Sequence, residues 1–285
     1  MKSKWMKATS AMLALAVFAA VPVGSAQAIN YRSAWMTSWS GCECGNASLS
    51  YTDNQINYFN SRMNAHGHNH LSTYTNSLVW GSDIGEDRDK GGQDNYYSDD
   101  ATAWAYSGHG GAFDDGAGKQ NFVVSFCKKG ASSFTGTCTV WSRSHVRLGE
   151  QSGTYYASPN AGSNRWMVLA TCYSVHSAPH QQWAPSMGYG TEYIMGYRGT
   201  SADSSTTDEV LGDWVDNAYA STVYTFKSSW FVAIEDWWVD DTGSVVSGGS
   251  DLAWSDWRRD NYSRITARRG ATEYWSWYSW AWHSG

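Results

Sequence analysis

The sequence predicts one α/β domain, residues 29–285, built on a mostly parallel central sheet with β-rich insertions. Three observations predict it. The runs ATAWAY, WMVLAT and YIMG are short, dominantly apolar and end abruptly at polar or glycine-rich switches, as strands covered on both faces do. The connections between these runs are long enough for crossovers. Helical periodicity marks two further segments, and no internal repeat, linker or low-complexity block divides the chain.

Taken in order, the first 28 residues read as an export signal. Lys2, Lys4 and Lys7 form a basic start, an apolar run spans about Met12 to Val23, and Ala26-Gln27-Ala28 matches an A-x-A cleavage site. The expected mature chain begins near Ile29 and is secreted, extracellular or periplasmic. SAWMTSW reads as the first strand, ending in the turn SGCECG. NQINYFNSRMNAHG places Ile56, Phe59 and Met63 at helical spacing and closes at Gly67. A polar Gly/Asp-rich stretch from about Gly81 to Asp100 precedes the strand ATAWAY. FVVSFC and CTVW flank KKGASSFTGT as a hairpin insertion near 120–142, and a loop follows from about Gly149 to Ser163. Strands are expected at Trp166–Thr171 and Tyr193–Gly196, and a helix with an acidic start from Asp208. The late apolar runs WFVAIEDWWV and YWSWYSWAW read as strands.

Composition narrows the partners. Without the signal's three lysines, 17 Lys and Arg oppose 26 Asp and Glu, a net charge of about −9. So acidic a chain lacks the basic footprint of a nucleic-acid binder or of a protein docked on anionic lipid. No later stretch approaches about 20 apolar residues, so no membrane span is expected. There is no GxSxG, P-loop or dinucleotide fingerprint, and no cofactor is expected. Asp99-Asp100, Asp114-Asp115 and Asp240-Asp241 lack EF-hand spacing and read as solvated loops. The 18 Trp and 18 Tyr suit the core and faces of a β-rich extracellular domain, or a surface that stacks on sugars or peptides. Oligomeric state is not legible.

Five cysteines are present, and an odd count in an exported chain leaves one thiol over. Cys127 and Cys138 flank the hairpin loop and are placed for a cross-strand disulfide. Cys42 and Cys44 could join each other only in a strained turn, and other pairings stay open. By elimination Cys172 is the free thiol.

Two strand ends carry the chemistry. In a parallel sheet the site forms outside the carboxyl ends of the strands. ATAWAY delivers His109 between Gly108, Gly110 and Gly111, and WMVLAT delivers Cys172. If those strands are neighbours, an imidazole and a thiol face one crevice. A thiolate is a strong nucleophile, glycines let a substrate approach and leave N–H groups for an oxyanion, and an imidazole can protonate a departing amine.

Strand–SGHGG followed by strand–ATCYS resembles the caspase–gingipain–legumain superfamily (clan CD) of cysteine peptidases. More narrowly, DNYYSDDATAWAYSGHGG, RWMVLATCYS and GTEYIMGYRG resemble an uncharacterised family of secreted bacterial proteins in that fold group, over about Asp94 to Gly199, with a weaker match at SAWMTSWSGC. The resemblance implies a caspase-like three-layer fold and a hydrolase acting on peptide bonds. Cys172 would be the nucleophile, His109 the general acid, and the N–H groups of Gly110 and Cys172 the oxyanion hole. ATCYS departs from the caspase QAC signature, and the 63 residues from His109 to Cys172 exceed the usual distance of about 50. An inserted hairpin accounts for the excess.

Rival readings are available. A catalytically silent fold displaying aromatics, above all YWSWYSWAW, would bind glycan or peptide. His66, His68 and His70 alternate along HGHNH and on a strand would meet one metal, while Cys172, His176 and His180 would align on a helix. Pro179 argues against a regular helix there.

Overall fold

The computed structural model describes residues 28–149, 163–188, 190–220, 225–235, 241–261 and 276–284. The segment up to residue 27, where the export signal is expected, most of the 149–163 loop and Asp240 lie outside them. Along the chain, β1 (Asn30–Trp35) leads to α1 (Thr52–Ala65), which buries Ile56, Phe59 and Met63 and ends before Gly67 at φ 81°. β2 (Asn69–Thr75) follows, then tight turns around the one-turn helix α2 (Asp87–Lys90), then β3 (Ala103–Ser107). β4 (Gly110–Asp114), β5 (Gln120–Ser125) and β6 (Thr139–Trp141) form a separate antiparallel sheet. The chain continues through α3 (Ser142–His145), β7 (Trp166–Ala170), α4 (Pro179–Met187), β8 (Tyr193–Tyr197), α5 (Val210–Ala220) and α6 (Phe226–Glu235). It ends with β9 (Thr242–Gly249), α7 (Leu252–Asn261) and β10 (Trp277–Ser284).

The central sheet runs β10-β9-β8-β7-β3-β1-β2, with β2, β1, β3, β7 and β8 parallel and β9 and β10 antiparallel at one edge. This is the mostly parallel α/β sheet that the apolar runs predict. Successive residues of its strands point to opposite faces and feed two cores. Ala103, Ala105, Trp166, Val168, Tyr193 and Met195 face α1, α5 and α6, against Phe59, Trp214 and Trp230. Trp104, Tyr106, Met167, Leu169 and Ile194 face α4 and the small sheet, against Phe122, Phe126 and Trp183. Truncating any of the fully buried tryptophans to alanine costs about 3–5 kcal/mol.

Four details differ from the sequence reading. WFVAIEDWWV is not a strand over its described part: Phe226, Trp230, Ala233 and Ile234 are buried at helical spacing in α6. β2 is a strand that no periodicity announces: it starts at Asn69, past the turn at His66 and Gly67, and as an edge strand it buries no full face, so its sequence carries no apolar alternation. Pro179 starts a helix rather than preventing one, because the first helical position needs no N–H donor. The hairpin carries no internal disulfide. Its cysteines reach back to the turn after β1, as Cys42–Cys127 and Cys44–Cys138, closing separations of 85 and 94 residues.

Candidate active site

β3 and β7 are neighbours, and their last paired rung joins Ser107 to Ala170. His109 and Cys172 each lie two residues beyond that rung, so the same register that pairs the strands brings both to one place. They line a cleft of about 210 Å³ at the carboxyl end of the sheet. Its position obeys strand order: the connection after β1 leads to β2 on one side, while the chain after β3 leads to β7 on the other, so the order reverses between β1 and β3. Leu49, Thr52 and Gln55 form one wall, and Ser201, Ala202 and Asp203 the other. The Asp203 carboxylate accepts from the N–H groups of Ser50 (2.6 Å) and Tyr51 (2.8 Å), tying the two walls together.

The turn that presents Cys172 is built by its neighbours. Ser174 Oγ donates to the carbonyls of Leu169 (3.1 Å) and Thr171 (3.0 Å) and accepts from Tyr197 N–H (2.9 Å), closing the ends of β7 and β8 together. That hydroxyl needs Gly196, where an added Cβ would lie 2.1 Å from Oγ. Tyr173 is held at φ 57°, a left-handed conformation costly for a bulky residue, by its N–H bond to Gly199 (2.6 Å). Cys172 is the free thiol among the described residues, half-buried, with Sγ 3.4 Å from Ser201 N–H and 3.8 Å from Ser201 O. Its own N–H has no acceptor among the described residues. Gly110 packs on this turn so closely that a Cβ would lie 2.8 Å from Thr171 Oγ1 and 3.0 Å from the Cys172 carbonyl.

His109 is oriented from the far side. Its Nε2 lies 2.9 Å from the Ala47 carbonyl, and its ring packs 4.8 Å from Trp39 at 44°. Both supports belong to the turn after β1, which the two disulfides pin to the hairpin. Glu43 N–H to Cys127 O (2.8 Å) and Lys129 N–H to Glu43 Oε2 (2.8 Å) add to that anchorage. Gln55, from α1, accepts from buried Ser107 Oγ (2.6 Å) and donates to Thr207 O (3.2 Å) beneath the cleft. Ala47, Trp39, Gln55, Ser201 and Asp203 escaped the sequence reading, which looked for side chains with reactive chemistry. A backbone carbonyl leaves no residue-type signal, and only SGCECG marked the turn as constrained.

The other predicted clusters do not assemble. His66 pairs with Asp216 (2.9 Å) at the end of α1, His70 stacks on Tyr31, and the three imidazoles of HGHNH form no common ligand set. His68 accepts from Ile29 N–H (3.3 Å) and bonds Tyr219 OH; burial, then neighbouring His66, lowers its pKa to about 4. His176 precedes α4 whereas His180 lies within it, stacked on Trp280, so Cys172, His176 and His180 do not share a helix face. Two of the aspartates read as solvated are buried. Asp99 accepts from Gly149 N–H (2.8 Å) and Asp241 from Ala202 N–H (3.0 Å). Asp114 and Asp115 do sit in an exposed turn, accepting from the N–H groups of Gly116 and Ala117.

Among the described residues, no helix is long and apolar enough to cross a membrane. Comparison with curated proteins finds no match. Residues 33–276, which include both strand ends and all four disulfide cysteines, match the model of a family described as a domain of unknown function (DUF6345), and the chain belongs to that family.

Proposed function

We propose that the chain is a secreted cysteine peptidase of clan CD type, with a caspase-like layered fold and Cys172 and His109 as its catalytic dyad. The observation that carries this reading is the shared register: a free thiol and an imidazole, each two residues past one rung of adjacent parallel strands, lining one cleft. The Ala47 carbonyl can only accept, so the neutral ring carries its proton on Nε2 and leaves Nδ1 to exchange protons. The Cys172 thiolate attacks the scissile carbonyl carbon, forming the C–S bond while the oxygen takes negative charge. The N–H groups of Cys172 and Gly110 are the donors for that oxygen. The C–N bond breaks as protonated His109 gives its proton to the leaving amine. Water, deprotonated by His109, then hydrolyses the thioester and restores the thiol. Two disulfides and the signal-like start support export to an oxidising compartment.

The test is hydrolysis of a diverse peptide library by the purified mature chain and its Cys172→Ala variant, with acylation by a thiol-directed probe as a second readout. Cleavage by the parent and none by the folded variant supports the assignment. Equal cleavage by both ends it.

A second reading rests on one observation. Trp254 and Trp257 stack at 4.8 Å with 5° between ring planes, yet are 38% and 48% exposed. Such a platform suits a sugar or peptide side chain, and glycan-array binding that survives Cys172→Ala but not Trp257→Ala would favour a binding role.

A further inference from the structure

Outside the cleft, the segment between β2 and β3 folds around carboxylates. Glu86 and Asp94 are buried, at 1% and 0% exposure, and Asp87 is half-buried. One oxygen from each lies within 4.8 Å of the others, which no other trio of His, Cys, Asp or Glu achieves among the described residues. The backbone is drawn tight around them. Gln93 and Asp94 N–H groups both reach Gly85 O (3.1 and 3.2 Å), Gly92 N–H reaches Glu86 O (2.8 Å), and a Cβ on Gly92 would strike the Gly85 carbonyl.

Asp94 is the second and separate clue. Its Oδ1 accepts from Asp87 N–H (2.9 Å), but its Oδ2 is fully buried without a donor among the described residues. Burial, and then the charges of Asp99, Glu86 and Asp87, push its pKa well above the usual carboxylate range. A carboxylate so placed either keeps its proton or faces a cation, and three carboxylates converging on one point are an arrangement in which a cation can replace protons. All the available donors are hard oxygens, and neither imidazole nor thiolate joins them.

We propose that Glu86, Asp87 and Asp94 bind a hard divalent cation of the calcium type. The ion locks the folded-back segment that enters β3 at its amino end. The cleft lies at the carboxyl end of that strand, so the role is structural and does not depend on the peptidase reading.

The experiment strips the mature chain with EDTA and titrates it with Ca²⁺, Mg²⁺ and Zn²⁺ by calorimetry, with thermal unfolding alongside. One equivalent of Ca²⁺ should bind, with Mg²⁺ weaker and Zn²⁺ no better. At a hundredfold excess over Kd, Tm should rise by about 5–10 °C. Asp94→Asn should weaken binding at least about tenfold and abolish the Tm shift, while its metal-free Tm stays close to the parent's because the amide oxygen can still accept from Asp87 N–H. Asp87→Asn, at a more exposed position, repeats the binding test should Asp94→Asn fail to fold. Absence of Ca²⁺ and Mg²⁺ binding at millimolar concentration overturns the proposal. So does a folded variant that keeps the parent's response.

Discussion

The Nε2 atom of His109 lies 2.9 Å from the carbonyl oxygen of Ala47, a residue 62 positions earlier that Cys42–Cys127 and Cys44–Cys138 hold in place. The ring's tautomer and aim thus depend on covalent bonds made elsewhere. Replacing Cys42 and Cys127 together by Ser should cost about 2–4 kcal/mol in urea unfolding. Under the peptidase reading it should also slow acylation by about 10²-fold with little change in KM, since the general acid is misaimed rather than removed. An acylation rate equal to the parent's would show that the Ala47 contact does not serve His109.

Gly110 touches the turn that carries Cys172. Gly110→Ala drives a methyl into the Phe122 ring (2.6 Å) and Thr171 Oγ1 (2.8 Å) and against the Cys172 carbonyl (3.0 Å), so the packing around this turn must shift. A loss of about 1–3 kcal/mol is expected, with a fall in kcat larger than the stability change explains. Guanidinium unfolding and single-turnover kinetics separate the two effects. Gly45→Ala serves as the comparison: like Gly110 it is not at positive φ, but nothing within 4 Å meets its added Cβ.

Ser174 is the clasp between β7 and β8. Ser174→Ala leaves the Leu169 and Thr171 carbonyls and the Tyr197 N–H short of a partner inside the protein. The expected cost is about 1–3 kcal/mol. Ser205→Ala, at an exposed loop position, should stay within about 0.5 kcal/mol. Equal effects from the two would remove the clasp.

His68 makes stability fall in acid. Its folded pKa is about 4, below the ordinary value of 6.5, chiefly because it is buried. Between those values the unfolded chain binds a proton that the folded chain refuses, so stability declines as pH falls through this window. The loss attributable to His68 is at most about 3 kcal/mol. Urea unfolding at pH 7, 5.5 and 4.5 should show a shallower decline for His68→Gln than for the parent. Parallel curves would remove His68 from the account.

What the sequence made legible was whatever local pattern governs. ATAWAY and WMVLAT announce buried strands because both faces are apolar, and the odd cysteine count singles out Cys172. Their adjacency, and so the site, is written in no motif; it is the pairing of β3 with β7 in the folded sheet that supplies it. The misreadings have physical sources. In α6 the apolar run is read from Trp230 onward, which hides Phe226 and the helical phase. β2 lies at the sheet edge with polar residues exposed, so its pairing with β1 has no sequence signature. The disulfides favour distant partners because the turn after β1 packs on the hairpin, a tertiary contact that spacing does not encode. The Asp94 cluster draws its carboxylates from both sides of a tight backbone fold, and so matches no linear ion-binding pattern.

The crossed disulfides also set an order of events. A newly made chain with reduced thiols has Leu49 and Gln55 available to wall the cleft, but nothing fixed behind His109. The imidazole gains its backstop only once two sulfur bridges have closed, and the fifth cysteine must stay out of both. Dithiothreitol should therefore silence the peptidase reading's activity by unfastening the bridges, even while it protects the nucleophile from oxidation. Such a protein would be idle at its place of synthesis and competent only after delivery.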